Sequence, residues 1–178
     1  RKKIMSEKPI LLDIQDKIAT IILNRNLPKD NSLIATVTPL EELDLVLRQS
    51  DFLLLSIPLN QETNNIISYK ELDIMKHDSV IINVGRGQLI KEDALFNACR
   101  NKQIGGAIID TWYMYPEQSL QKQKPSDFDF HLLNNVIMTP HASAWTKNLI
   151  RRRCKEIACN LDSIFNKKKP ANIVRLPI

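Results

Sequence analysis

Glycine is scarce in this chain. Its 178 residues contain four, Gly85, Gly87, Gly105 and Gly106, gathered in two short stretches. So small a supply is expected where backbone must turn sharply or approach a ligand. Cysteine is scarce as well. Cys99, Cys154 and Cys159 are odd in number and lack metal-ligand spacing, which argues against both a disulfide framework and a metal site. Cys154 and Cys159, five apart, fall on different faces of a helix. Free thiols suit a reducing, cytoplasmic compartment. No apolar run approaches the ~20 residues of a membrane span. The longest, residues 52–59, has strand length and contains Ser56 and Pro58. There is no signal-peptide pattern, repeat or low-complexity segment. Arg1 rather than Met opens the sequence, so residues ahead of it are expected. The net charge of +5 includes basic clusters at residues 151–153 and 167–169. These lie on one helix and its trailing end, where cations suit the helix dipole, and no aromatics interleave them. A nucleic-acid partner is therefore not expected.

What is present reads as alternating strands and helices. Residues 19–26 suggest a strand, 27–32 a turn-rich stretch and 33–37 a further short strand. Thr38, Pro39 and Glu41 form a capping-box pattern for a helix whose apolar positions are Leu40, Leu43 and Leu47. Residues 51–58 are a continuous apolar run, as in a parallel strand covered on both faces. Ser68 and Glu71 form a second capping box, with a short helix to Met75. Strands are expected at 79–84, 105–111 and 135–139, an amphipathic helix at 91–102 and a long final helix at 146–166. Ile150, Ile157, Leu161 and Ile164 line one side of that helix. Strands separated by helices imply a parallel α/β sheet, in which ligands bind beyond the strands' carboxyl ends.

Three strand ends carry chemistry. Arg86 stands between Gly85 and Gly87, where its fork of donors can hold a carboxylate or can lie in an ordinary surface turn. Asp110 ends the next strand and can accept a hydrogen bond from an amide or cap the following segment. His141 follows Thr139-Pro140 after the last strand. Histidine is the usual proton donor or acceptor near neutral pH, although a lone histidine there is more often structural. His77 and His131 read as ordinary helix-end and loop residues. Trp112, Tyr113 and Trp145 could shape a pocket or serve as core or interface aromatics.

In order and spacing, Val84-Gly85-Arg86-Gly87 through Glu92-Asp93-Ala94-Leu95, Gly106 to Asp110, and Asn135 through His141 resemble the D-isomer-specific 2-hydroxyacid dehydrogenases. Leu40-Glu41-Glu42-Leu43, Ser50-Asp51, Ile57-Pro58-Leu59 and Asn172-Ile173-Val174 extend the likeness over residues 38–174. The resemblance implies a Rossmann-like doubly wound parallel sheet and hydride transfer between NAD or NADP and a small 2-hydroxy or 2-oxo acid. Arg86 would hold the substrate carboxylate and His141 would shuttle a proton. Asp110 would bind the nicotinamide carboxamide, and Pro58, Val84, Gly85 and Ser143 would line the cofactor groove. A homodimer is implied for a full-length enzyme, and no metal.

Two departures stand out. The family's usual Glu, paired with the catalytic His, is replaced by Tyr115, which brings no negative charge at neutral pH. Glu117 is two residues too late. Nor is there a G-x-G-x-x-G loop for the cofactor pyrophosphate. The fold is therefore expected to be incomplete, lacking its first strand, so that strands two and three have no partner joining them to the rest. Three segments are expected: 1–37, a remnant of the first half of the dinucleotide-binding domain; 38–145, its second half; and 146–178, a helix and tail returning toward a substrate domain. The chain alone is expected to be inactive. Asn24-Arg25, near the end of the second strand, would suit a 2′-phosphate better than an acid would, favouring NADP. The competing expectation is a non-catalytic relative serving as a nucleotide-sensing or protein-interaction module.

Overall fold

The computed structural model describes residues 40–116, 123–171 and 173 fully, and the backbone of 10–15, 18–23 and 36–38. It forms two compact units, Arg1–Ala142 and Ser143–Ile178.

The first unit contains a seven-stranded sheet. In chain order the strands are β1 (Ile10–Gln15), β2 (Ile18–Leu23), β3 (Thr36–Thr38), β4 (Phe52–Leu55), β5 (Val80–Asn83), β6 (Gly106–Ile109) and β7 (Val136–Met138). In space the order is β3-β1-β2-β4-β5-β6-β7. From β2 through β7 all neighbours are parallel, while β1 runs antiparallel to both β2 and β3. The expected gap at the centre does not occur. β2 pairs directly with β4, Ile18 opposite Phe52 and Ile21 opposite Leu55. Residues 10–15, which are not among the expected strands, insert between β2 and β3.

Among the described residues three α-helices belong to this unit: α1 (Leu43–Gln49), α2 (Tyr69–Ile74) and α3 (Glu92–Arg100). The helix expected to start at Thr38 begins later. Thr38 is the last residue of β3 and pairs with Ile10, so its backbone is extended, and a 3-10 turn at Leu40–Glu42 leads into α1 instead. The box at Ser68 does form, with the Glu71 carboxylate accepting from the Ser68 N–H at 3.0 Å. The helices bury Leu47, Leu72, Ala94, Leu95, Ala98 and Cys99 against Leu53, Leu55, Ile81, Ala107 and Ile109 of the strands. Burial alternates along β4: Leu53 and Leu55 are sealed while Phe52 is 40% exposed, so its second face is not fully covered.

Register is what builds the site. Leu55 lies opposite Asn83, Asn83 opposite Ile109, and Ile109 opposite Met138. Four parallel strands thus end at one edge, and the segments after them leave the sheet side by side.

The second unit contains α4 (Leu149–Phe165), none of whose residues is buried. Ile150, Ile157, Leu161 and Ile164 form the expected stripe, and all four are exposed. Ser143 and Trp145, the latter 81% exposed, belong to this unit. Among the described residues no helix is long and apolar enough to cross a membrane.

Candidate functional site

After β4 the chain runs through buried Ile57 to exposed Pro58, whose carbonyl accepts from the Thr63 hydroxyl at 2.8 Å. After β5 comes a turn organised by Asn83, a buried residue at the strand's end. Its side chain donates to the Arg86 carbonyl at 2.9 Å and accepts from the Gly85 N–H at 3.1 Å. Asn is well suited to such local backbone mimicry, a signal the sequence reading passed over. Arg86 is exposed, and its Nη1 donates to the Gly85 carbonyl at 2.7 Å.

Gly87 explains one of the glycines. A Cβ there would lie 2.6 Å from the carbonyl carbon and oxygen of Trp112 and 2.9 Å from the Tyr113 nitrogen. Only a hydrogen fits between the segments after β5 and β6. Trp112 itself is a core residue, 5% exposed, against Phe130. Its indole Nε1 donates to the Thr139 carbonyl at 2.9 Å, tying the segment after β6 to that after β7. Tyr113 is half-buried against the core, and its carbonyl accepts from Gln88 at 3.3 Å.

Asp110 is 2% exposed. One carboxylate oxygen accepts from the Thr139 hydroxyl at 2.5 Å and from the Ala142 N–H at 2.9 Å. Two neighbouring strand ends are thereby joined through a charge-assisted acceptor. His141, between those anchors, has φ 57, a left-handed conformation uncommon outside glycine but several-fold enriched in histidine. The ring is exposed. Its Nδ1 lies 2.9 Å from the Tyr115 hydroxyl, which also accepts from the Trp112 N–H at 3.0 Å. A cavity of about 410 Å³ opens nearby, lined by Trp112, Met114, Tyr115, Met138 and Thr139 among others, but by neither Arg86 nor His141.

Arg86, Asp110, Tyr115 and His141 therefore leave three adjacent strand ends, with Pro58, Val84 and Gly85 on the same edge. Ser143 opens the second unit and is exposed. Asn24, Arg25 and Glu117 lie outside the described residues. Burial pushes the Cys99 thiol up to about 12, which leaves it an inert core residue. Cys154 and Cys159 are exposed and free. Among the described residues no cluster of His, Cys, Asp and Glu could hold a metal.

This geometry fits one end of a nicotinamide dinucleotide. The buried Asp110 carboxylate at a strand end suits a carboxamide donor. At Gly85 a Cβ would meet the Ile57 carbonyl at 2.8 Å, so this part of the edge keeps bare backbone. For the pyrophosphate, by contrast, these residues provide no glycine loop.

The family described as D-isomer specific 2-hydroxyacid dehydrogenase, NAD binding domain, matches residues 16–143. A glyoxylate reductase of Thermococcus gammatolerans is 31% identical over 145 residues, covering 82% of this chain and 40% of that protein. A glycerate dehydrogenase of Methylorubrum extorquens is 33% identical over 135 residues, covering 76% and 41%. Among solved structures, a D-isomer specific 2-hydroxyacid dehydrogenase from Xanthobacter autotrophicus in complex with NADPH and MES superposes with a TM-score of 0.69 at 25% identity, covering 84% of this chain and 58% of that one. The chain thus spans well under half the length of these curated relatives. By the match over 16–143 and the Rossmann-type sheet that carries it, the chain belongs to the D-isomer-specific 2-hydroxyacid dehydrogenase family, as part of its NAD-binding domain.

Proposed function

We propose that the chain forms the nicotinamide end of an oxidoreductase that interconverts a small D-2-hydroxy acid and its 2-oxo partner. The observation that carries this reading is the placing of a guanidinium, a carboxylate and an imidazole at the registered ends of β5, β6 and β7. When bound, the nicotinamide supplies or accepts the hydride. Arg86 turns the rest of its donor fork to the substrate carboxylate, a planar bidentate match that a lysine could not make. Asp110 accepts from the carboxamide, while Pro58, Val84 and Gly85 flank the ring and Ser143 follows them along the chain. His141 gives a proton to the 2-oxo oxygen in reduction and takes it back in oxidation, a role worth typically 10²–10⁴-fold in rate. NADP as the coenzyme rests on Asn24-Arg25, and a homodimeric, cytoplasmic enzyme on the family resemblance and the free cysteines. Pyrophosphate and substrate-domain contacts are needed beyond those these residues offer, so the chain alone binds coenzyme weakly.

Saturation-transfer NMR with NADPH tests the reading on the chain itself. Stronger transfer to the nicotinamide protons than to the adenine protons is expected, and it falls in Asp110→Asn. Equal transfer to both rings, or none, would sink the assignment. In the longest form of the protein its gene encodes, loss of reduced-nicotinamide absorbance with glyoxylate or hydroxypyruvate should fall at least 100-fold in His141→Gln. The absent G-x-G-x-x-G loop favours a second reading, a nucleotide-sensing or interaction module without catalysis. Nicotinamide contact with no turnover in that longest form would select it.

A further inference from the structure

The Tyr115–His141 pair has a polarity that its chemistry fixes. The Tyr115 oxygen lies 3.0 Å from the Trp112 nitrogen and 2.9 Å from His141 Nδ1. A backbone N–H can only donate, so at Trp112 the phenol oxygen is the acceptor. A phenol has one proton and, in the ring plane, two hydrogen-bonding directions. With one direction taken by the Trp112 N–H, the hydroxyl proton points to Nδ1. That nitrogen must then be the bare one, and a neutral imidazole carries its proton on Nε2.

We infer that Tyr115 is a positioning residue that donates to His141 and holds its neutral ring in the Nε2–H form. This rests on the reading of His141 as the proton shuttle. The acceptor side cannot easily change hands, because Trp112 is held from three directions. Its ring is packed against Phe130, its indole nitrogen is bonded to the Thr139 carbonyl, and its own carbonyl abuts Gly87. The backbone that carries the imidazole is anchored as well. It has φ 57, the next amide is bonded to Asp110, and the two rings lie 5.5 Å apart at 48°.

The arrangement is the reverse of what a carboxylate at position 115 would impose. A carboxylate only accepts, so it keeps the proton on Nδ1 and leaves Nε2 bare, ready to take a proton from a 2-hydroxyl. Here the neutral ring offers Nε2–H outward. It can donate to a 2-oxo oxygen, but it cannot act as a base until the Tyr115 hydroxyl turns and the tautomer exchanges. In reduction the proton donor is the imidazolium: as Nδ1 takes up a proton the Tyr115 hydroxyl turns its own proton aside and accepts, the hydride goes to C2, the Nε2 proton goes to oxygen, and the ring is left neutral with its proton on Nδ1. Tautomer exchange and the return of the Tyr115 hydroxyl then restore the resting state.

Long-range 1H–15N correlation of the 15N-labelled chain reads the tautomer without turnover. The spectra are recorded at about pH 8.5, above the ordinary histidine range. His141→Gln identifies the His141 signals among those of the three histidines. In the wild type Nε2 is expected in the protonated range and Nδ1 in the bare range. Tyr115→Phe keeps the ring but loses the donor, and should move both nitrogens toward solvent-averaged values. Tyr115→Glu should place the proton on Nδ1. A wild-type proton on Nδ1 overturns the inference, and so do identical shifts in wild type and Tyr115→Phe. An inactive enzyme with the expected tautomer would count against the functional reading and leave this one standing.

Discussion

Gly87→Ala separates the packing of the site from ordinary backbone effects, because the two act with opposite sign. Gly87 does not have a positive φ, so alanine can adopt its conformation. On that ground alone the substitution would stabilise by about 0.4–1 kcal/mol, by restricting the unfolded chain. The new methyl, however, would sit 2.6 Å from the carbonyl of Trp112 and 2.9 Å from the Tyr113 nitrogen, and these are backbone atoms with no rotamer to change. Overpacking of this kind costs about 1–3 kcal/mol. Net destabilisation of about 1–2 kcal/mol is expected, as the segments after β5 and β6 are forced apart. Urea unfolding followed by tryptophan fluorescence measures it. In a Trp145→Phe background, which alters a side chain 81% exposed, the signal comes from buried Trp112 alone. With a slope near 2 kcal/mol/M, the midpoint should fall by roughly 0.5–1 M at unchanged slope. An unchanged or raised midpoint would refute the close approach, and with it the argument that Gly87 locks Trp112 and so orients Tyr115.

Other perturbations test neighbouring parts. The Thr111 hydroxyl is fully buried and has no hydrogen-bond partner among the described residues, so Thr111→Val should stabilise by about 1 kcal/mol and raise Tm by roughly 2–4 °C; a lower melting temperature would show that the hydroxyl is satisfied. Trp112→Phe removes the bond to the Thr139 carbonyl and part of a core ring, and should cost about 2 kcal/mol in urea unfolding followed by far-UV circular dichroism while broadening the His141 signals. A thiol reagent at about pH 8 should label Cys154 and Cys159 quickly and Cys99 only on unfolding; mass spectrometry of the labelled peptides decides, and early modification of Cys99 would contradict its burial. The same thiol makes stability pH-dependent. Its folded value is raised from 9.0 to about 12, so its contribution is intact below 9 and declines as pH rises toward 12. Cys99→Val should flatten the part of that decline between 9 and 10, below the ordinary tyrosine range.

How much of this was legible beforehand depended on whether the cause was local. The strands β4 to β7 announce themselves as short apolar runs, and the residues that follow them fall at the sheet edge because parallel strands in register must end together. Arg86, Asp110 and His141 could therefore be named without coordinates. The position of β1 could not. Nothing in residues 10–15 says that they pair antiparallel between β2 and β3, since sheet order is settled by which backbones are free to pair. The same competition moved the helix start expected at Thr38, whose backbone joins a ladder with Ile10. Trp112 was ambiguous between pocket and core because its use depends on a carbonyl 27 residues away. Tyr115 is the sharpest case. Its place opposite His141 followed from the resemblance, but the direction of the hydrogen bond did not. That direction is set by the Trp112 amide, a group every sequence possesses at every position except proline, and only the folded backbone shows that it is aimed at the phenol oxygen. A substitution usually weighed by the charge it removes is here better weighed by the proton it adds.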